Sequence, residues 1–126
     1  MDERQRRPQA AIGHMWLKVS DISRAAQYFV SLGLRPIHQA QGIAILELRG
    51  GTHLVLGPSD ESIPAGTKAP FDLMVDDIVV TREQYERLGL RPSPLECGSI
   101  HRSFSLNGPD DYIITVTSSH TGGRAV

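Results

Sequence analysis

The sequence has little that would tie it to a membrane, to nucleic acid or to an oxidising compartment. Its 126 residues include a single cysteine, Cys97, which excludes an internal disulfide framework and fits a reducing compartment. The formal net charge of −1 gives no general attraction to nucleic acid or to an anionic membrane. The first ten residues are charged and lack an apolar segment, so they predict neither a signal peptide nor a membrane anchor. These absences predict a cytoplasmic protein without nucleic-acid or membrane partners.

Aromatic residues are also few, at 6% of the chain, and tryptophan occurs once, at Trp16. The hydrophobic content of 40% and the charged content of 21% are nevertheless ordinary for a globular protein. A chain of this length can bury roughly two-thirds of its unfolded surface in one core. The composition therefore predicts one structural domain.

The main feature that is present is an internal repeat. The pentapeptide Leu-Gly-Leu-Arg-Pro occurs at Leu32–Pro36 and again at Leu88–Pro92, an offset of 56 residues (88 − 32). Self-similarity at a fixed offset indicates a duplicated structural module. The same offset matches four further pairs: Leu17 with Leu73, Val19 with Val75, Asp21 with Asp77, and Ile22 with Ile78.

The first module has the pattern of a strand, a helix and three further strands. Gly13–Val19 alternates in polarity, which predicts a strand with one buried face and one polar or aromatic face. Ser20 or Asp21 can cap the helix that follows, and Gly33 ends it. Three strands are predicted after the helix: one that ends near Gln39, one over Ile43–Leu48 and one over Thr52–Leu56.

The second module repeats this order. Pro70–Val75 alternates, Asp77 can cap a helix, and Gly89 ends that helix. Its later strands are predicted over Leu90–Ser93, Ile100–Leu106 and Tyr112–Thr117. The predicted organisation is a disordered tail over residues 1–11, a first module over 12–57, a linker over 58–69, a second module over 70–118 and a tail over 119–126.

Two β-α-β-β-β units with these motifs resemble the vicinal oxygen chelate superfamily, which holds glyoxalase I, bleomycin-resistance proteins and extradiol dioxygenases. The resemblance rests on H-M-W-L-K-V-S-D-I-S-R-A-A-Q-Y-F and G-G-T-H-L-V-L in the first module, and on V-D-D-I, L-G-L-R-P and G-P-D-D-Y-I-I-T-V in the second. It implies an α+β fold in which two βαβββ modules form a curled, mixed sheet with the helices outside. A small molecule would sit in the cup between the modules.

The same resemblance places the family's four metal ligands at His14, Val55, Pro70 and Thr115. Only His14 is a good ligand, because valine and proline carry no side-chain donor and a neutral threonine hydroxyl is a poor one. A catalytic zinc-type site needs about three protein ligands. The metal site is therefore expected to be degenerate, with no cofactor expected, and a divalent metal would require a relocated site.

Other ionisable residues allow two alternatives: a relocated metal site or metal-free chemistry. His53 alternates in phase with Val55, and His101 and Asp72 are expected to point into the cup. His14, His53 and His101 would form a three-histidine metal site, or else the polar wall of a wet pocket. Asp72 beside a histidine would form a general base pair, so the candidate catalytic residues are His14, His101 and Asp72.

The remaining cup residues suggest what is bound there. Trp16 and Lys18 offer a stacking plane and a cation for a planar or anionic ligand, although Trp16 would equally fit burial against the other module or a dimer partner. Arg35 and Arg91 are repeat-related, which favours a shared structural role. The candidate ligand-binding residues are His14, Trp16, Lys18, His53, Asp72, Met74, His101, Ser103, Ser105 and Thr115.

Two functions follow from these observations. The first is a bleomycin-resistance-like protein that binds a small molecule without a metal. The second is a lyase, isomerase or dioxygenase that uses a relocated metal site or metal-free acid–base chemistry. A homodimer is expected in either case, because a small protein with exposed sheet edges can complete its cup with a second copy.

Overall fold

The computed structural model describes residues 3–126, without the side chain of Arg4, and contains two four-stranded sheets and two α-helices. The first sheet has the order β1-β4-β3-β2 and the second has the order β5-β8-β7-β6. The elements of the first module are β1 (His14–Val19), α1 (Ile22–Ser31), β2 (Arg35–Ala40), β3 (Ile43–Glu47) and β4 (His53–Pro58). Those of the second are β5 (Lys68–Val75), α2 (Ile78–Arg87), β6 (Glu96–Cys97), β7 (Arg102–Asn107) and β8 (Ile113–Ser118).

The two modules share one topology, as the repeat predicts. The first strand of each module pairs in parallel with the last, β1 with β4 and β5 with β8, and the other neighbours are antiparallel. The predicted α+β fold of two βαβββ modules is therefore confirmed. The sheets do not close into one: β1 lies beside β5, but no backbone ladder joins these strands within residues 3–126.

Both helices begin and end as the repeat predicts. The Asp21 carboxylate accepts a hydrogen bond from the Arg24 backbone N–H at 3.0 Å, and the Asp77 carboxylate accepts one from the Val80 N–H at 3.1 Å. After each helix comes a glycine with positive φ, +110° at Gly33 and +78° at Gly89. No helix within residues 3–126 is long and apolar enough to cross a membrane.

One hydrophobic core joins the modules. The Phe29 ring on α1 is fully buried, and its centroid lies 6.4 Å from that of Phe71 on β5. The Tyr85 hydroxyl on α2 donates to the Leu32 carbonyl at 2.7 Å, which ties the second helix to the end of the first. Burial alternates along the strands, with the buried side chains on the side that the helices contact, so the other side of each sheet is left uncovered.

Three details differ from or extend the sequence predictions. Leu90–Ser93 does not form a strand; the edge strand is Glu96–Cys97 instead. Pro92 and Pro94 have no N–H to donate, so only Ser93 bonds to β7, through its N–H to the Ser105 carbonyl at 2.9 Å and through its hydroxyl, which accepts from the Ser105 N–H at 2.8 Å. The irregular connection between the modules covers 59–67, because β4 continues to Pro58 and β5 begins at Lys68. The predicted N-terminal tail, 1–11, lies partly outside the described residues, and Glu3–Gln5 forms a short 3-10 turn.

Candidate functional site

Each sheet has a face that the helices do not cover, which we call the first face and the second face. Alternation along the strands places one side chain in two on this face, and strand register places those side chains in rows across the sheet. The first face carries His14, Trp16 and Lys18 on β1, His53, Val55 and Gly57 on β4, and Ile43, Ile45 and Glu47 on β3. The second face carries Pro70, Asp72 and Met74 on β5, Thr115 and Thr117 on β8, and Ser103 and Ser105 on β7.

A polar row crosses the first face at the start of β1. His14 is in register with His53, His53 with Glu47, and Glu47 with Arg35. The Glu47 carboxylate lies 3.0 Å from His53 Nε2 through one oxygen and 3.3 Å from the Arg35 guanidinium through the other. The His14 and His53 rings meet edge to face with centroids 6.1 Å apart. The row is therefore a connected set in which Glu47 holds both a guanidinium and an imidazole.

Glu47 is the functional candidate that the sequence predictions missed. It occupies the last position of β3, in phase with Ile43 and Ile45 on the uncovered face, so alternation along Ile43–Glu47 was the available signal. The predicted shared role of Arg35 and Arg91 is wrong, because Arg35 pairs with Glu47 whereas Arg91 adopts a positive φ of +52° in the connection after α2. The ion pair holds Arg35 at the edge of the first face, a position that Arg91 does not share.

The middle of the first face is apolar and dominated by Trp16. Trp16 is in register with Val55, and Val55 with Ile45. The Trp16 side chain is 66% exposed, whereas Val55 beside it is only 4% exposed, so the indole stands on a covered apolar floor. Its ring centroid lies 6.3 Å from that of His14. Within one chain, Trp16 is thus not buried against the second module.

The next row leaves open space on the first face. Lys18 is in register with Gly57, which carries no side chain. A Cβ placed on Gly57 would meet no atom within 4 Å, and the Gly57 backbone does not adopt a positive φ. The Lys18 side chain is exposed. The first face is therefore an apolar strip bounded by a polar row at one end and by Lys18 with an open position at the other.

The second face is lined by hydroxyl groups. Asp72 shares a row with Thr115 and Ser105, and the next row contains Met74, Thr117 and Ser103. Asp72 and Met74 are exposed, whereas Thr117 is buried and its hydroxyl lies 3.5 Å from the Leu73 carbonyl. This face offers hydrogen-bonding groups but no aromatic platform.

His101 lies apart from the other candidates. It precedes Ser105 by four residues, about 13 Å along the strand, whereas Asp72 shares the row of Ser105. Asp72 and His101 are therefore not neighbours across the second sheet. His101 instead lies beside His120, with ring centroids 6.0 Å apart, and its Nδ1 atom is buried without a hydrogen-bond partner within residues 3–126.

The residues at the family's metal positions do not fit a metal site. His14 is exposed on β1, but Val55 is buried and apolar and Pro70 has no donor atom. No group of three histidine, cysteine, aspartate or glutamate side chains in the described part of the chain is arranged to hold a metal ion. His14, His53 and His101 do not come together, because His14 and His53 lie on the first sheet whereas His101 precedes β7 of the second sheet and lies beside His120.

Two cavities of the single chain lie elsewhere. One, of about 340 Å³, lies between α1 and the strands β2 and β3, and a second, of about 420 Å³, lies between the start of α1 and the turn after β7. Neither is lined by Trp16, His14 or any residue of β5 or β8. Trp16 and Met74 are exposed on the two uncovered faces, so both faces are open in one chain.

Comparison with protein-family models and with curated protein sequences gives no match. Known structures do match. A lactoylglutathione lyase from Agrobacterium tumefaciens is 17% identical with a TM-score of 0.75, over 93% of this chain and 99% of that one. A glyoxalase/bleomycin resistance protein/dioxygenase superfamily member from Sphaerobacter thermophilus DSM 20745 is 19% identical with a TM-score of 0.74, over 87% and 98%.

A third similar structure is TnmS3, an antibiotic binding protein from Streptomyces sp. CB03234. It is 19% identical with a TM-score of 0.75, over 86% of this chain and 95% of that one. Sequence identities this low establish the fold and leave the activity open. The resemblance found in the sequence motifs is thus confirmed at the level of structure: this chain has the vicinal oxygen chelate fold of the glyoxalase/bleomycin resistance protein/dioxygenase superfamily.

Proposed function

We propose that this protein binds a small molecule with a planar, aromatic part, which lies over Trp16 on the first face. The observation that carries the proposal is the exposure of Trp16, at 66%, on an apolar floor of Val55 and Ile45. Covering an indole with a flat, apolar surface is energetically favourable. Ligand sites combine such surfaces with a few polar groups at defined positions. The row from His14 to Arg35 supplies those polar groups beside the indole.

The degenerate metal positions favour binding over metal-dependent catalysis. With no donor at Val55 or Pro70, the residues of the fold's usual ligand positions cannot chelate an ion together with two substrate oxygens. TnmS3 has the same fold and is an antibiotic binding protein, which supports the binding of a small molecule within this architecture. The exposed thiol of Cys97 fits the cytoplasmic location that we propose.

We further propose that a second copy of the chain closes the cup. The first and second faces are both open in one chain, with Trp16 and Met74 exposed on them. In a two-fold dimer the first face of one copy can lie opposite the second face of the other, which would place hydroxyl groups over the indole. We expect sedimentation equilibrium to give twice the 13.8 kDa chain mass, and a monomeric mass at all concentrations would contradict closure by a second copy.

The binding proposal has a direct test, because Trp16 is the only tryptophan. Its indole N–H gives one cross-peak in a ¹⁵N–¹H spectrum, so a neutral planar probe such as 2-naphthamide should shift that peak in a saturable manner. Trp16→Leu should weaken binding in calorimetry by up to about tenfold, because a stacked aromatic contact contributes about 0.5–1.5 kcal/mol. Val79→Leu, on the exposed surface of α2, is the matched control. An unshifted indole peak and equal affinities would contradict the proposal.

A second candidate function is metal-free proton transfer. The observation that favours it is the Glu47–His53 pair, in which the carboxylate fixes the imidazole at 3.0 Å beside His14. A histidine oriented in this way has one nitrogen left to act as a base. Mass spectrometry of the recovered ligand distinguishes the two functions, since a binding protein returns the ligand unchanged.

A further inference from the structure

We propose that the molecule bound on the first face is an aromatic anion, such as an aromatic carboxylate, and that Lys18 receives its negative charge in the space beside Gly57. This inference rests on the proposed binding function and specifies the chemical class of the ligand. It depends on three features of the first face: the pairing of its charges, the space beside Lys18 and the position of Asp72.

Lys18 is the first-face cation whose charge is left unpaired. Arg35 and His53 both contact Glu47, at 3.3 and 3.0 Å. No carboxylate lies within 4 Å of the Lys18 ammonium group in the part of the chain that the structure describes. Glu47 is in the row of His14, which precedes Lys18 by four residues, about 13 Å along the strand. Arg35 is therefore paired within the polar row, whereas the ammonium group of Lys18 is available to a ligand.

Gly57 gives an anionic group room to reach Lys18. The two residues are in register on neighbouring strands, and no atom lies within 4 Å of the position that a Cβ atom on Gly57 would occupy. Lys18 follows Trp16 by two residues on the same face, about 7 Å along the strand. An aromatic acid that lies over the indole can therefore place its carboxylate beside the ammonium group, where a charge-assisted hydrogen bond forms.

Asp72 provides an opposite charge by which the sign of the interaction can be tested. It is the repeat counterpart of Trp16 (16 + 56 = 72) and lies exposed on the uncovered face of β5, the strand beside β1. A ligand anion on the first face is repelled by this carboxylate and attracted by Lys18, whereas a neutral ligand responds to neither. Removing the two charges must therefore have opposite effects on an anion.

The test compares 2-naphthoate with 2-naphthamide, which have the same ring system but differ in charge. Both are titrated by calorimetry and by the Trp16 indole peak at fixed ionic strength. We expect Lys18→Met to weaken 2-naphthoate binding about tenfold, the size of one charge-assisted hydrogen bond, and to leave 2-naphthamide unchanged. Asp72→Asn should bind 2-naphthoate more tightly, and Arg87→Met, which removes an exposed cation from α2, is the matched control and should bind it with unchanged affinity. Added salt should weaken the binding of 2-naphthoate and leave the binding of 2-naphthamide unchanged.

The outcomes separate this inference from the binding function on which it rests. If both probes shift the indole peak with equal affinity and Lys18→Met changes neither, the protein binds planar ligands but does not recognise an anion, and the inference is overturned. If neither probe shifts the peak, the binding function and the inference both fail. Thermal melts of each variant check that folding is retained.

Discussion

Replacing Gly57 by phenylalanine is expected to abolish the binding of planar aromatic molecules to the first face while leaving the fold intact. The new ring would fill the open position beside Lys18 and cover part of the apolar floor next to Val55. The strand itself tolerates the change, because Gly57 does not need a positive φ and an added Cβ meets no atom within 4 Å. We expect affinity for both 2-naphthoate and 2-naphthamide to fall at least about 100-fold, or 2.8 kcal/mol, in calorimetry.

The matched control for this substitution is Gly13→Phe. Gly13 immediately precedes β1, is exposed, and likewise has no atom within 4 Å of an added Cβ, but it alternates out of phase with the first face. It should retain affinity, and both variants should melt close to the unaltered protein. Normal ligand binding by Gly57→Phe would place the ligand elsewhere, with the cavity between α1 and β2 as the next candidate.

The duplication explains why the fold could be predicted from the sequence and why the first face and the second face differ. The residues that repeat include the helix caps, the glycine stops and buried positions such as Leu17 with Leu73, and these determine the module. The uncovered faces carry no such constraint and have diverged, so that Trp16 in one module corresponds to Asp72 in the other. The aromatic and charged groups are concentrated on the first face, while the second face carries mainly hydroxyl groups.

The site could be predicted only in part, because strand register depends on tertiary packing. Alternation correctly places Trp16 and Lys18 on one face of β1. The contact of Glu47 with His53 and Arg35 requires three strands to be aligned, and that alignment is visible only in the folded sheet. The same limit applies to Asp72 and His101: Asp72 lies on β5, whereas His101 precedes the first residue of β7. Residue types and faces were therefore predictable, and contacts across strands were not.

Tyr85→Phe is expected to destabilise the protein by about 1–3 kcal/mol, because it leaves a buried carbonyl without a partner. The Tyr85 hydroxyl donates to the Leu32 carbonyl at 2.7 Å, and both residues are buried where the two modules meet. Tyr28→Phe is the matched control: the Tyr28 hydroxyl is buried with no hydrogen-bond partner within residues 3–126, so its removal should be neutral or stabilising. Urea unfolding measures both effects, and equal destabilisation by the two changes would contradict this difference.

Ionisation of the buried tyrosines should make the stability of the protein depend on pH in the alkaline range. Burial, and then the neighbouring Tyr85, raises the pKa of Tyr28 from 10.0 to about 12, and burial also raises the pKa of Tyr85. The folded state therefore holds the phenolic protons more tightly than the unfolded state, and stability must fall as pH rises from about 10 towards 12. In Tyr28→Phe that fall should be smaller, because Tyr85 and Tyr112 are the only tyrosines left to ionise. An unchanged pH dependence of the urea midpoint would show that Tyr28 ionises as readily in the folded chain as in the unfolded one.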